Sequence, residues 1–149
     1  MRNCVFESNT AEAEEWGPVG WDQCGEGSAV SMQGNARLIV TGHSRLIGNM
    51  AQGNSSKSSG GAILAWGNLE VTLQGTQFIS NQAIDTKGGA IAALQDSRID
   101  CAGVSFSNNT AAGQGGTVFV GLATFRSTSA PVIFRGETVF EDNVVIEED

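Results

Sequence analysis

Gly60-Gly61-Ala62-Ile63, then Leu69-Glu70-Val71-Thr72-Leu73, then Gly75, then Phe78-Ile79-Ser80-Asn81: this stretch holds one unit of a pattern that recurs along the chain. The opening Gly pair returns as Gly88-Gly89-Ala90-Ile91, and in degenerate form as Gly27-Ser28-Ala29-Val30 and Gly115-Gly116-Thr117-Val118. The closing F-x-x-N tetrapeptide returns at Phe6 to Asn9, Phe106 to Asn109 and Phe140 to Asn143, and Leu46-Ile47-Gly48-Asn49 carries Leu in place of Phe. Between the two motifs lies a short alternating segment closed by glycine: Leu38 to Gly42, Leu69 to Gly75, Ile99 to Gly103 and Val132 to Gly136. The order never changes, and a fixed order of motifs is the signature of stacked structural repeats.

The spacing says which part of the unit is rigid. Successive F-x-x-N motifs, starting near Phe6, Leu46, Phe78, Phe106 and Phe140, are 40, 32, 28 and 34 residues apart. Most of the variation falls between the Asn and the next Gly pair, which are 18 residues apart from Asn9 to Gly27 but 6 from Asn109 to Gly115. Constant strands with one variable connection describe a solenoid with its loops on one side.

Three short strands per unit are expected: Ala62 to Trp66 after the Gly pair, the alternating Leu69-Val71-Leu73 segment, and Gln77 to Ser80 around the Phe. Alternation puts Leu69, Val71 and Leu73 on one face and Glu70, Thr72 and Gln74 on the other. No apolar spacing of helical period is sustained, so no helix is expected. The architecture that follows is all-β: a parallel β-helix of about four coils, formed by residues 1–149 as a single segment.

In such a stack equivalent residues lie about 4.8 Å apart in columns. A Phe column removes rings from water. An Asn column ladders its amides and suits a turn with left-handed backbone angles. The small Ala two residues after each Asn (Ala11, Ala51, Ala83 and Ala111, with Val145 in the last copy) suits a tight inward corner. The chain opens and closes inside repeats, which reads as a fragment of a longer protein in which Met1 is an internal residue.

Composition narrows the function. The 149 residues carry a net charge of −8, with 20 Gly, 3 Cys and no Tyr. Apolar content of 40% suffices for a core. No apolar run approaches the ~20 residues of a membrane-spanning helix, and the first residues lack the apolar core of a secretory signal. Residues 1–26 hold six acids against Arg2 alone, and residues 137–149 hold six acids and no base. A chain with 8 Lys and Arg against 16 Asp and Glu offers no platform for a phosphate backbone, so nucleic acid is excluded as a partner.

The interleaved F-x-x-N and G-G-A-I motifs resemble the repeats of the polymorphic outer membrane proteins of chlamydiae, over most of the chain from Phe6 to Asn143. The resemblance implies a right-handed β-helix, which also accords with the general preference for right-handed parallel crossovers. It further implies an autotransporter passenger on the cell surface with a role in adhesion, attached to the membrane only through flanking regions. Leu46 for Phe, Ser28 for Gly and Thr117 for Ala are departures that leave the pattern intact.

Residues with chemistry of their own are few. His43, the only histidine, stands in Thr41-Gly42-His43-Ser44 and reads as a polar turn residue rather than a lyase base. Glycoside cleavage needs two carboxylates converging on one bond, whereas Asp85, Asp96 and Asp100 are expected in loops or at strand ends. Asp96 and Asp100 flank Arg98, but a calcium site wants several closely placed oxygens. Cys4, Cys24 and Cys101 match no zinc spacing. Cys101 shares a strand face with Ile99 and is expected to be a buried thiol, while Cys4 and Cys24 bracket the longest loop and are candidates for a disulfide. Trp16 and Trp21 in that loop are candidates for partner contact or for covering the first coil. Ser55, Ser56, Ser58 and Ser59 form a polar connection with no base to activate them. Asn54 and Asn108 fit the glycosylation pattern, with Asn108 expected to face outward.

No catalytic, cofactor-binding or metal-binding residue is therefore assigned, and a non-catalytic chain is expected. The expected function is a structural or adhesive segment of a cell-surface or secreted protein, located in the outer membrane in a bacterial source. Its partner would be a host surface, matrix or glycan. The alternative is a polysaccharide-binding or polysaccharide-cleaving module.

Overall fold

The computed structural model describes residues 1–12, 28–52, 60–121 and 132–146. Those residues form strands and turns without helix, and every strand pairing among them is parallel. Parallel neighbours need a long crossover. Here each crossover consists of strands in the other sheets, because the chain visits three sheets in rotation.

The first sheet gathers the F-x-x-N segments. Val5–Glu7, Arg45–Ile47, Gln77–Ile79, Ser105–Ser107 and Val139–Glu141 lie side by side in chain order. Their register puts Phe6, Leu46, Phe78, Phe106 and Phe140 in one row, as the repeat alignment expects. The rings of Phe78 and Phe106 stack at 5.0 Å between centroids, and those of Phe106 and Phe140 at 5.1 Å.

The second sheet was not foreseen as a strand. Thr10–Glu12, Met50–Gln52, Gln82–Ile84, Thr110–Ala111 and Val144–Val145 form a five-stranded sheet immediately after the Asn. Ala11, Ala51, Ala83, Ala111 and Val145 share its register. The small residue thus sits within a strand, where Ala51, Ala83 and Ala111 are buried, and not at a corner. Two or three residues of alternation are too short to show as a period in sequence.

The third sheet merges the two strands expected before the Phe. Val30–Val40 and Ile63–Gln74 are continuous strands of 11 and 12 residues, paired from Val30↔Ile63 to Val40↔Leu73. Gly67 keeps the second of them unbroken with a φ of 119°, a conformation that L side chains rarely adopt. Further along the stack the same strand divides, into Ile91–Leu94 and Arg98–Ala102 and then into Val118–Gly121 and Val132–Arg135. Two of the three expected strands therefore belong to one sheet, and the Ala strand supplies the remaining face.

The interior is filled from all three sheets. Leu69, Val71 and Leu73 point inward with Ile63, Ile99, Cys101, Phe78 and Phe106, while Glu70 and Gln74 are exposed. Glycine turns the corner into the Phe sheet, with positive φ at Gly42, Gly75, Gly103 and Gly136. At the next corner the left-handed residue is the one before the Asn: Ser8, Gly48, Ser80, Asn108 and Asp142. The Asn itself was expected to take that conformation, and it does not. Its side chain is fully engaged elsewhere.

Candidate functional site

The most ordered chemistry in the molecule is the asparagine column. Nδ2 of Asn9, Asn49, Asn81 and Asn109 donates to Oδ1 of the Asn in the following circuit at 2.8–2.9 Å. The same Oδ1 atoms accept the backbone N–H of the preceding Asn at 3.0–3.3 Å. The second Nδ2 hydrogen of Asn49, Asn81, Asn109 and Asn143 donates to the carbonyl of the Phe or Leu one circuit earlier. Asn49, Asn81 and Asn109 are completely buried, so these bonds satisfy amides that water does not reach. Such a column holds circuits together. It offers no free polar atom to a substrate in the interior of the stack.

Residues singled out for reactivity are placed apart. His43 is exposed at the corner after Gly42, and its backbone N–H donates to Oδ1 of Asn3. The hollow beside it is lined by Arg2, Thr41, Gln74 and corner glycines, with no carboxylate among them. Asp85 occupies a left-handed turn after the Ala strand. Asp96 lies in the turn that divides the third sheet, as expected. Asp100 is instead within the strand Arg98–Ala102, held by Arg135 at 3.1 Å. The pair of acids flanking Arg98 therefore splits, since strand geometry sends Arg98 outward beside Glu70 while Asp100 turns to the next strand.

One lateral groove does bring charges together. Arg37, Asn68, Glu70, Asp96 and Arg98 line an open space of about 500 Å³ on the outer face of the third sheet. Arg37 and Glu70 pair at 3.2 Å, both more than half exposed. Two guanidinium groups and two carboxylates around one open space can hydrogen-bond polar groups. Asp96 is the second carboxylate lining this groove.

Cys101 is a buried free thiol, as its alternation with Ile99 implies. Burial, together with the negative charge of Asp100, pushes its pKa from 9.0 up to about 12, so it is inert as a nucleophile. Cys4 is half-buried and free, its Sγ donating to the carbonyl of Arg2. Cys24, Trp16, Trp21, Asn54 and the serines at 55, 56, 58 and 59 lie outside the described residues. Asn108 faces outward beside buried Asn109, as expected.

Sequence reasoning missed an apolar cluster on the outside of the third sheet. Leu64, Ala92 and Leu94 are buried there, with Trp66 and Phe119 packed against them and the Lys87 ammonium 5.0 Å from the Phe119 ring centroid. The signal was present: Ala62-Ile63-Leu64-Ala65-Trp66 is apolar without alternation, which marks a strand covered on both faces.

Among the described residues, the recurring columns are structural and the charged groove lies on the lateral surface. Residues 103–121, which run from the corner glycine through the Phe strand, the Ala strand and the Gly pair, match the family model of the Chlamydia polymorphic membrane protein repeat. That family is associated with the bacterial outer membrane or surface. No curated protein and no solved structure gives a significant match to the chain.

Proposed function

We infer that the chain is a right-handed parallel β-helix acting as a non-catalytic adhesive scaffold of a cell-surface repeat protein. The observation that carries this reading is the match of residues 103–121 to the polymorphic membrane protein repeat, set in a chain that repeats the same columns in every circuit. Rotation through three parallel sheets supports the β-helix, and the preference of parallel crossovers for one hand supports its right-handedness. An enzyme concentrates acids and bases at one level of such a stack. In this chain the side chains that recur at every level are Phe, Asn, Ala and Gly, which favours a scaffold that presents its lateral face to a host surface or matrix.

The test is adhesion itself. Beads coated with the folded chain should bind cultured host cells or matrix proteins well above beads coated with the heat-unfolded chain. Equal binding of the two would sink the adhesive reading. The groove around Glu70 favours a second reading as a glycan-binding module. That reading predicts retention of oligosaccharides without products of cleavage, and its loss in Arg37→Ala/Arg98→Ala.

A further inference from the structure

The outer face of the third sheet joins an aromatic surface to the charged groove along a single strand. Trp66, Asn68 and Glu70 alternate outward from Ile63–Gln74, and Trp66 packs against the cluster of Leu64, Ala92 and Leu94 while staying partly open to solvent. Leu94 is the register partner of Trp66 and Arg98 that of Glu70, so the groove opens where the apolar cluster stops. At about 3.3 Å per residue, Trp66 and Glu70 stand about 13 Å apart along the strand. Arg37 is committed to Glu70 at 3.2 Å. Arg98 is exposed and makes no ion pair among the described residues.

We propose that this strip binds an uncharged glycan chain, with one sugar ring seated on the indole of Trp66 and hydroxyls of the following rings bonded to Asn68, Glu70 and Arg98. Charge selects that class of ligand. The two guanidinium groups and two carboxylates of the groove cancel, so an ion of either sign meets a like charge beside its counter-charge. A hydroxyl both donates and accepts, and it uses both kinds of group. An aromatic surface next to polar groups also matches a ligand whose rings present C–H faces and whose edges carry hydroxyls. Both edges of Ile63–Gln74 are taken, by Val30–Val40 on one side and by Ile91–Leu94 and Arg98–Ala102 on the other. A peptide therefore finds no strand edge to pair with and meets side chains alone. Strand register fixes these positions before a ligand arrives, so binding has little order left to impose. This inference rests on the glycan-binding reading of the groove and adds the charge class of the glycan and its aromatic seat.

An array of immobilised neutral and acidic oligosaccharides of graded length, probed with the folded 149-residue chain at about 20 and about 500 mM NaCl, tests it. Neutral chains of several rings should be bound and single rings should not. The signal should be the same at both salt concentrations, because no net charge is neutralised. Arg98→Ala and Trp66→Ala should each weaken binding roughly tenfold. If Trp66→Ala fails to melt cooperatively, Arg98→Ala and Asn68→Ala, both at exposed positions, decide the matter. Binding of acidic chains alone, lost at high salt and on Arg98→Ala, overturns this inference and leaves the glycan-binding reading standing. Neutral binding that Arg98→Ala weakens and a folded Trp66→Ala does not has the same effect. Binding to no member of the array, or binding that neither substitution changes, overturns both.

Discussion

The third and fourth F-x-x-N segments share their motif with the last and have the opposite fate. Phe106 is fully buried between the Phe78 and Phe140 rings and Phe78 is fully buried between Phe106 and Leu46, whereas Phe140 stacks on one side and is 51% exposed. Asn81 and Asn109 are buried with every polar hydrogen engaged, whereas Asn143 is half-buried, its Oδ1 accepting from Asn109 and its Nδ2 donating to the Phe106 carbonyl. Thr76 bonds the Val40 carbonyl across the stack, whereas the equivalent Thr138 has a buried hydroxyl oxygen with no partner. The repeat dictates geometry, and position in the stack dictates how much each residue contributes. Interior strands of these parallel sheets pair on both sides and the end strands of the described residues on one, so an end unit has one interface where an interior unit has two.

The largest contrast should lie in the Phe column. Phe106→Ala removes a fully buried ring between two others and should cost about 3–5 kcal/mol in urea unfolding. Phe140→Ala removes a half-exposed ring and should cost about 1 kcal/mol. Comparable losses at both positions would mean that the Phe140 ring is covered in solution.

The asparagine ladder gives the next contrast. Asn81→Ala orphans the Leu46 carbonyl and the donors of Asn49 inside the core, for an expected loss of about 2–3 kcal/mol. Asn143→Ala also removes the acceptor of both Asn109 donors, but that end is half-exposed and water can replace it, so the loss should be about 1 kcal/mol. Equal and small values would show that the ladder only accompanies the stacking.

How far the chain was legible follows from the length of each signal. The Phe and Gly-pair rows were readable because they recur at every circuit, and the register aligns them as the motifs do. The Ala strand was not readable, because Gln82–Ile84 offers one inward residue and no period. The fusion of two strands across Gly67 was hidden for the opposite reason: glycine punctuates most strands, and here it lets one continue by pairing with Gly34. Asn81 was expected to turn the chain, but its buried ladder position needs both faces of the amide, so the left-handed angle falls to Ser80. The lateral groove was invisible because Arg37, Glu70 and Arg98 are far apart in sequence and meet only through register.

Glycines sharpen the same comparison on a smaller scale. A Cβ on Gly61 would collide with the carbonyl of Gly89 and the backbone of Gln82 in the next strands, so Gly61→Ala should cost about 2 kcal/mol or more. Gly103 also carries a positive φ, of 58°, but a Cβ there meets nothing within 4 Å. Gly103→Ala should therefore cost only the left-handed backbone penalty of about 1 kcal/mol. If the two were equal, close stacking of the Gly pair would not be what the motif preserves.

The two described thiols give the subtlest contrast, silent at neutral pH. Cys101 is buried at an interior level and Cys4 is half-buried at the first. With a folded pKa of about 12 against 9.0 unfolded, Cys101 keeps its proton in the native state while the unfolded chain loses it. The native state then binds more protons above pH 9.0, so stability falls as pH rises from 9.0 toward 12. Below pH 9.0 that contribution is fully present and flat. Cys101→Ala should lose some stability at neutral pH through its cavity, yet show a shallower decline between pH 9 and 11 than the parent chain. In the native protein iodoacetamide should modify Cys4 long before Cys101, whose thiolate is scarce and enclosed. Modification of both at one rate would mean that the stack opens at its interior as readily as at its end, and the contrast between interior and end circuits would fail.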